Sequence, residues 1–300
     1  MCGIAGICRL DGQPLNEDAR AHVRAMTDVI TYRGPDGSGI WQEGPVSLGH
    51  RRLSIIDLSG GSQPMQDVDD ELCIVFNGEI YNFAELRQEL LQAGARFHSS
   101  HSDTEVILQA YRVWGTDCLQ RFDGMFAFAL YDTATGELFC ARDTFGIKPL
   151  YYAVEGGRIL FGSEIKGLLA HPHARRSLNE RRLAHWLCME YQPDEETLFE
   201  GVRKLPAGHW LRWRNGRAER GRWFVPRFAP DAGRSLEESA EAIEAALRES
   251  VAAHAIADVD VGCFLSAGVD SSLVAREAAR IMEARAFTIG WGEGRFSELE

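Results

Sequence analysis

Cys2 follows the initiator methionine in Met1-Cys2-Gly3-Ile4-Ala5-Gly6-Ile7. Removal of Met1 would leave one residue carrying both a thiol and a free α-amine. A thiol becomes a strong nucleophile when a base takes its proton, and an α-amine, with an ordinary pKa of about 7.7–8.0, is a suitable base. Such a residue needs no histidine partner. The same cysteine also reads as a small apolar residue opening a buried strand, because free cysteines are often buried.

Other stretches carry matching chemistry. In Phe76-Asn77-Gly78-Glu79-Ile80-Tyr81-Asn82, the Asn-Gly pair predicts a hairpin turn, or else an Asn amide and an adjacent N–H converging on developing negative charge. In His50-Arg51-Arg52-Leu53-Ser54-Ile55-Ile56-Asp57, the arginines read as solvated strand-edge charges, or one of them as a bidentate clamp on a carboxylate. Asp103 in Ser102-Asp103-Thr104-Glu105 is either a first-turn helix residue or a seat for an ammonium group. An arginine for a carboxylate and an aspartate for an ammonium together describe a free amino acid. Farther along, Ser266-Ala267-Gly268-Val269-Asp270-Ser271-Ser272 falls between a strand and a helix, where small residues, hydroxyls and N–H groups can surround a pyrophosphate. It lacks the Gly-Lys-Ser/Thr of a Walker A loop. Asp270 beside phosphates implies Mg2+.

These residues need elements to hold them. Residues 1–170 read as an α+β domain with strands at Cys2–Cys8, Leu72–Phe76, Met125–Tyr131, Glu137–Arg142, Leu150–Val154 and Arg158–Gly162. One helix is predicted from Asn82, with Glu85 closing a capping box, to Gly94, and another from Ser102 to near Gly115. A helix around Asn179–Leu187 and a hairpin of His209–Arg214 and Arg217–Trp223, turning at Asn215-Gly216, follow. The domain is drawn as 2–224, with a Pro/Gly-containing linker over 225–235. Beyond it, over 236–300, Ser235 and Glu238 box a long helix to about His254. A buried strand Val259–Leu265, the serine loop, a helix with Leu273, Val274, Ala278 and Ile281, and a strand Ala286–Gly290 complete a parallel α/β pattern.

The 300-residue chain is 45% hydrophobic and 25% charged, which fits an ordinary globular protein of two domains. Its net charge of −12 argues against non-specific nucleic-acid binding. No apolar run approaches the ~18 residues of a membrane span, and the N-terminus has no signal-like segment, so a cytoplasmic location is expected. Seven scattered cysteines without a Cys-x-x-Cys fit reduced thiols. Metal ligation by protein side chains is not expected.

At these residues the chain resembles the glutamine-hydrolysing asparagine synthetases. The matches are Met1–Gly6, Arg33-Gly34-Pro35-Asp36-Gly37, the arginine strand 50–57, the turn 76–82, Ser102–Glu105, Phe122–Phe128, Arg142–Tyr152 and Ser163-Glu164-Ile165-Lys166. The resemblance implies an N-terminal-nucleophile glutaminase with an αββα sandwich, then an ATP-pyrophosphatase domain whose loop is matched by 266–271. By that resemblance Cys2 attacks glutamine with its own amine as base, while Asn77 and the Gly78 N–H hold the oxyanion. Arg52 takes the α-carboxylate and Asp103 the α-ammonium, with Leu53, Ser54, Ile55, Ile56 and Glu79 completing the pocket. Leu265, Ser266, Gly268, Asp270, Ser271, Ser272 and Ile289 are left for ATP. Ammonia would amidate aspartate through an ATP- and Mg2+-dependent adenylate, making the protein a ligase of asparagine biosynthesis and, by the same resemblance, a homodimer.

Two departures bear on this expectation. Ala267 stands where the loop motif usually has Gly, and a methyl group there crowds a phosphate if the position needs φ > 0. The family's second domain continues well past residue 300, so the chain is expected to be a truncated enzyme competent for glutamine hydrolysis alone. Amidotransferases acting on sugar phosphates, synthetase relatives with other acceptors, and a non-enzymatic glutaminase-like module are the competing readings.

Overall fold

In the computed structural model, residues 1–214 and 216–290 are described. The chain forms two compact units, Met1–Pro226 and Arg227–Glu300.

The first unit begins with strand β1 (Gly3–Arg9), helix α1 (Asp18–Asp28), β2 (Gly37–Glu43), β3 (Val46–Arg52), β4 (Met65–Gln66) and β5 (Leu72–Ile80). Helices α2 (Phe83–Gln92) and α3 (Asp103–Trp114) follow, then β6 (Gly124–Asp132), β7 (Glu137–Arg142), β8 (Tyr151–Glu155), β9 (Arg158–Gly162), α4 (Ile165–Leu169), α5 (Glu180–Met189), β10 (Val202–Lys204), β11 (His209–Arg214) and β12 (Arg217–Arg222). They build two six-stranded sheets, ordered β10-β8-β9-β1-β3-β2 and β12-β11-β7-β6-β5-β4, with the strand pairs of both antiparallel.

Strand alternation sorts the side chains into layers. Ile4 and Cys8 of β1 pack with Cys73 and Val75 of β5, and with Ala127, Ala129 and Phe161, between the sheets. Ala5 and Ile7 point the other way, onto Val23 and Met26 of α1 and Leu168 of α4. On the far side, Ile74 and Phe76 meet Leu86 and Leu90 of α2 and Val106 and Ile107 of α3. The result is the expected αββα sandwich. Both faces of the central strands are covered, so their sequences read as continuous apolar runs.

Several local expectations change. Asn77 and Gly78 are not a turn: they lie inside β5, which runs to Ile80. A Cβ on Gly78 would stand 2.2 Å from the Met125 carbonyl oxygen and 2.7 Å from Phe126 Cα, so this glycine serves a close strand approach. The arginine strand stops at Arg52, and Leu53–Asp57 are irregular. Asn82 caps nothing: its side chain donates to the Arg121 carbonyl and accepts from the Asp123 N–H. Ser102 does cap α3 by accepting from the Glu105 N–H, but the Glu105 carboxylate turns to the N–H groups of His98 and Ser99. Helix α1, whose Glu17 N-cap makes no side-chain capping bond, is an unanticipated element. The predicted hairpin forms β11 and β12, with Gly216 at φ 73°; Asn215 of its turn lies outside the described residues.

The second unit contains α6 (Leu236–His254), opened by the Ser235/Glu238 capping box, then β13 (Gly262–Phe264), α7 (Val269–Ile281) and β14 (Arg285–Phe287). β13 and β14 are parallel, as the pattern predicts. The predicted buried strand Val259–Leu265 shrinks to three residues, and Phe264 is 81% exposed. A two-stranded sheet supplies too little surface to cover it. Among the described residues no helix is long and apolar enough to cross a membrane.

Candidate active site

The N-terminal residues converge with β3, β5, α3 and the turn after β7 on one cleft. It is lined by Met1, Cys2, Arg52, Leu53, Ile55, Ile56, Gly61, Gln63, Phe76, Asn77, Gly78, Glu79, Asp103, Thr104 and Lys148. Residues separated by more than a hundred positions therefore share one wall.

Cys2 is held at both ends. Its carbonyl accepts from Arg33 Nε at 2.9 Å, and Arg33 is itself paired with Glu164 at 2.9 Å. The sulfur receives the Leu53 N–H at 3.3 Å and lies 3.5 Å from the Leu53 carbonyl oxygen. Burial raises the thiol pKa above its usual value, against the lowering effects of the Leu53 bond, the terminal ammonium and Arg52. Burial also lowers the Met1 amine, and the positive charges of Lys148 and Arg33 push it the same way. That amine belongs to Met1; amine-assisted attack uses the amine that removal of Met1 exposes on Cys2 itself.

Alternation along β5 turns Asn77 toward the space between the sheets. It is 1% exposed, and its amide nitrogen is buried without a hydrogen-bond partner. Buried donors are almost always paired, so an orphan at a cleft wall is a group waiting for an acceptor. On β3 the two arginines separate by the same alternation. Arg51 pairs with Asp28 of α1, while Arg52 lines the cleft and donates to the carbonyls of Ile56, Asp57 and Leu58. Asp103, 6% exposed, accepts the Ile80 N–H at 3.3 Å. Burial raises its pKa to about 7, opposed by that bond and by those with Thr104, and Glu79 raises it further.

Of the residues singled out in sequence, Cys2, Arg52, Leu53, Ile55, Ile56, Asn77, Gly78, Glu79 and Asp103 meet in this cleft. Ser54 does not line it; its N–H donates to Asp36. Met1, Gly61, Gln63, Phe76, Thr104 and Lys148 were not anticipated. Gln63 accepts the Phe76 N–H at 2.6 Å and donates to Thr104 Oγ1 at 3.3 Å, tying β5 to the start of α3. Lys148 sits inside the Arg142–Tyr152 match, which was its only sequence signal. His50 is buried, donates from Nε2 to the Phe76 carbonyl and has its pKa lowered to about 4 by burial, so it braces the sheets as a neutral ring.

A model of the glutamine amidotransferase domain matches residues 1–224, and an asparagine synthase model matches residues 242–300. The chain belongs to the glutamine amidotransferase domain family. This amidotransferase chain is 36% identical over 282 residues to asparagine synthetase (glutamine-hydrolyzing) 3 of Bacillus subtilis, covering 93% of this chain and 45% of that one. It is 36% identical over 302 residues to amidase chry2 of Gibberella zeae, covering 94% and 43% respectively. It spans about half the length of the curated relatives it matches. The solved glutamine phosphoribosylpyrophosphate amidotransferase of B. subtilis superposes with a TM-score of 0.55 at 18% identity, covering 98% of this chain and 68% of that one; that likeness concerns the fold.

In the second unit, the serine loop closes on itself. Ser266 and Ser271 hydroxyls lie 2.9 Å apart, the Ser266 N–H donates to Ser271 Oγ, and the Gly268 N–H donates to Ser266 Oγ. Gly268 begins α7 without a side-chain cap. Leu265 bonds to Phe287 and its carbonyl accepts from Thr288; Ile289 is exposed. Hydroxyls, small residues and an uncapped helix start fit a phosphate group. Ala267 has φ outside the positive region, so its methyl group adds no backbone strain. No group of three His, Cys, Asp or Glu among the described residues could hold a metal ion; a Mg2+ here would be held chiefly by nucleotide phosphates.

Proposed function

We propose that the first unit hydrolyses glutamine with Cys2, once Met1 is removed, as nucleophile. The observation that carries this reading is the buried, unpaired amide of Asn77 in the same cleft as the Cys2 sulfur. The free α-amine takes the thiol proton as sulfur attacks the carboxamide carbon. The Asn77 amide and the Gly78 N–H stabilise the oxyanion, where such donors contribute most. The protonated amine then delivers its proton to the departing nitrogen, ammonia leaves, and water releases glutamate from the thioester. Arg52 and Asp103 orient the substrate through its carboxylate and ammonium, with Leu53, Ser54, Ile55, Ile56 and Glu79 around it.

The ammonia is consumed in an ATP-dependent amidation of aspartate, a reading supported by the asparagine synthase match over 242–300. Ser266, Gly268, Asp270, Ser271 and Ser272, with Leu265 and Ile289, would hold the nucleotide, whose Mg2+ supplies charge neutralisation at the phosphates. The seven cysteines are free, in keeping with a reducing cytoplasmic setting, and a homodimer is the assembly this reading carries. Glutamate release from glutamine by the processed chain, abolished in Cys2→Ala, tests the first step; equal release by both proteins would overturn it.

A second reading, in which the acceptor is not aspartate, has the support of a relative that is named an amidase and not an asparagine synthetase. A full-length protein that releases AMP with ATP and glutamine in the presence of another carboxylate, and not with aspartate, would establish it.

A further inference from the structure

Gln63 lies two residues before β4, and its side chain does for β5 what a neighbouring strand would do. β4 pairs with β5 at Met65–Ile74 and Gln66–Cys73, a register that sets Gln63 opposite Phe76. There its side-chain carbonyl accepts the Phe76 N–H at 2.6 Å. N–H groups alternate in direction along an antiparallel strand, so those of Phe76, Gly78 and Ile80 point to the same edge of β5. Phe126, opposite Gly78 in β6, fits this direction: its N–H and its carbonyl both bond to Asp143, away from β5. The outer two of the three N–H groups are bound within the fold, Phe76 to Gln63 and Ile80 to the Asp103 carboxylate at 3.3 Å. The middle one belongs to Gly78, which lines the cleft beside the buried, unpaired Asn77 amide. The two anchors are themselves joined. Gln63 Nε2 donates to Thr104 Oγ1 at 3.3 Å, and that oxygen lies 3.5 Å from Asp103 Oδ1. The stretch 76–80 is therefore fastened at both ends to the first residues of α3, with Asn77 and Gly78 between the fastenings.

We propose that Gln63 is a positioning residue for the oxyanion: with Thr104 it fixes the edge of β5 that carries the Gly78 N–H, and so acts on the transition state rather than on substrate binding. The inference rests on the glutaminase reading of this cleft. A primary amide suits the task because it accepts at oxygen and donates at nitrogen. Gln63 is thereby held from both sides, by β5 and by α3. An apolar side chain of the same length would fill the space but leave the Phe76 N–H without its acceptor. That part of β5 could then shift by a fraction of an ångström. Donors aimed at developing charge lose much of their effect when they are misplaced.

The test compares wild type with Gln63→Met, Thr104→Val, Thr104→Ser and the double variant Gln63→Met/Thr104→Val, as processed full chains. Gln63→Met should lower kcat by about tenfold and leave glutamine KM within about twofold of wild type. Thr104→Val should lower kcat in the same way, and Thr104→Ser, which keeps the hydroxyl, should match wild type. The double variant should lose no more than the worse single one, because both substitutions break one chain of bonds. A second readout needs no turnover. In an analogue with an aldehyde in place of the carboxamide, the Cys2 thiol adds across the C=O bond, and the oxygen of the adduct takes the oxyanion position. Gln63→Met should bind this aldehyde about tenfold more weakly, while glutamate, which forms no adduct, should bind within about twofold of wild type. Losses that multiply in the double variant, a raised KM in place of a lowered kcat in Gln63→Met, or equal losses for aldehyde and glutamate would overturn the proposal. A wild type that neither releases glutamate nor binds the aldehyde would remove the glutaminase reading and this proposal with it. A wild type that does both, with variants that match it, would remove the role of Gln63 alone.

Discussion

The Cys2 sulfur and the backbone of Leu53 are locked together: the Leu53 N–H donates to sulfur at 3.3 Å and its carbonyl oxygen lies 3.5 Å away. The contact joins the first residues of the chain to the point where β3 gives way to the irregular 53–64 segment, so the sulfur is oriented before any substrate arrives. What it lacks is a base on its own residue while Met1 remains. A chain retaining Met1 should therefore release glutamate at a rate near that of Cys2→Ala. Treatment with methionine aminopeptidase should raise the rate in proportion to the fraction trimmed, measured by intact mass and glutamate release on the same samples. Full activity in an untrimmed sample would contradict amine assistance.

Asn77 and Gly78 are neighbours with opposite expected costs. The Asn77 amide is buried and unpaired, so removing it costs the fold little and relieves an unsatisfied donor. Asn77→Ala should unfold in urea at or above the wild-type midpoint while kcat falls by about 10²–10³ and KM changes little. Gly78→Ala should do the reverse to stability, because its methyl group would meet the Met125 carbonyl at 2.2 Å, and a loss of more than about 2 kcal/mol is expected. Comparable losses of stability in both variants would contradict the distinction between them.

The same pair shows what the sequence could and could not convey. Asn-Gly is a strong turn signal because glycine tolerates positive φ, yet Gly78 is needed for strand contact. No pattern within a few residues separates these demands. The continuous apolar runs of β5, β6 and β7 were readable because burial on both faces selects for them. Helix α1 was the weaker case: Ala19, Val23 and Met26 do recur at helical spacing, but its Glu17 N-cap makes no side-chain capping bond to mark its start. The chemical residues Cys2, Arg52, Asn77 and Asp103 stood out by type. Gln63, Thr104 and Lys148 did not, because their positions in the wall depend on long-range packing.

The two arginines of β3 should respond differently to removal. Arg51 pairs with the half-exposed Asp28 on the α1 side, where an ion pair contributes about 1 kcal/mol or less. Arg51→Ala should lower stability by that amount and leave glutamine KM near wild type. Arg52→Ala removes a cleft-lining guanidinium and three bonds to the 56–58 carbonyls, and should raise KM by at least about tenfold. Steady-state kinetics of both variants, with denaturant midpoints, would show whether alternation on β3 divides structure from binding in this way.

Asp103 makes the last prediction one of pH. Burial holds its folded pKa at about 7, above the ordinary 3.8, so the native chain binds this proton more tightly than the unfolded chain does. Its contribution favours the fold at low pH and is lost as pH rises between about 4 and 7. Substrate binding has the opposite demand, since only the carboxylate attracts an ammonium group. Glutamine KM should therefore climb as pH falls below about 7, while Asp103→Asn should show a raised KM that no longer varies over that range and a flatter stability profile from about pH 4 to 7. Measuring KM and urea midpoints across that window in both proteins decides the matter: a wild-type KM that stays level through pH 7, or a variant that keeps the wild-type slope of stability, would show that another group governs binding.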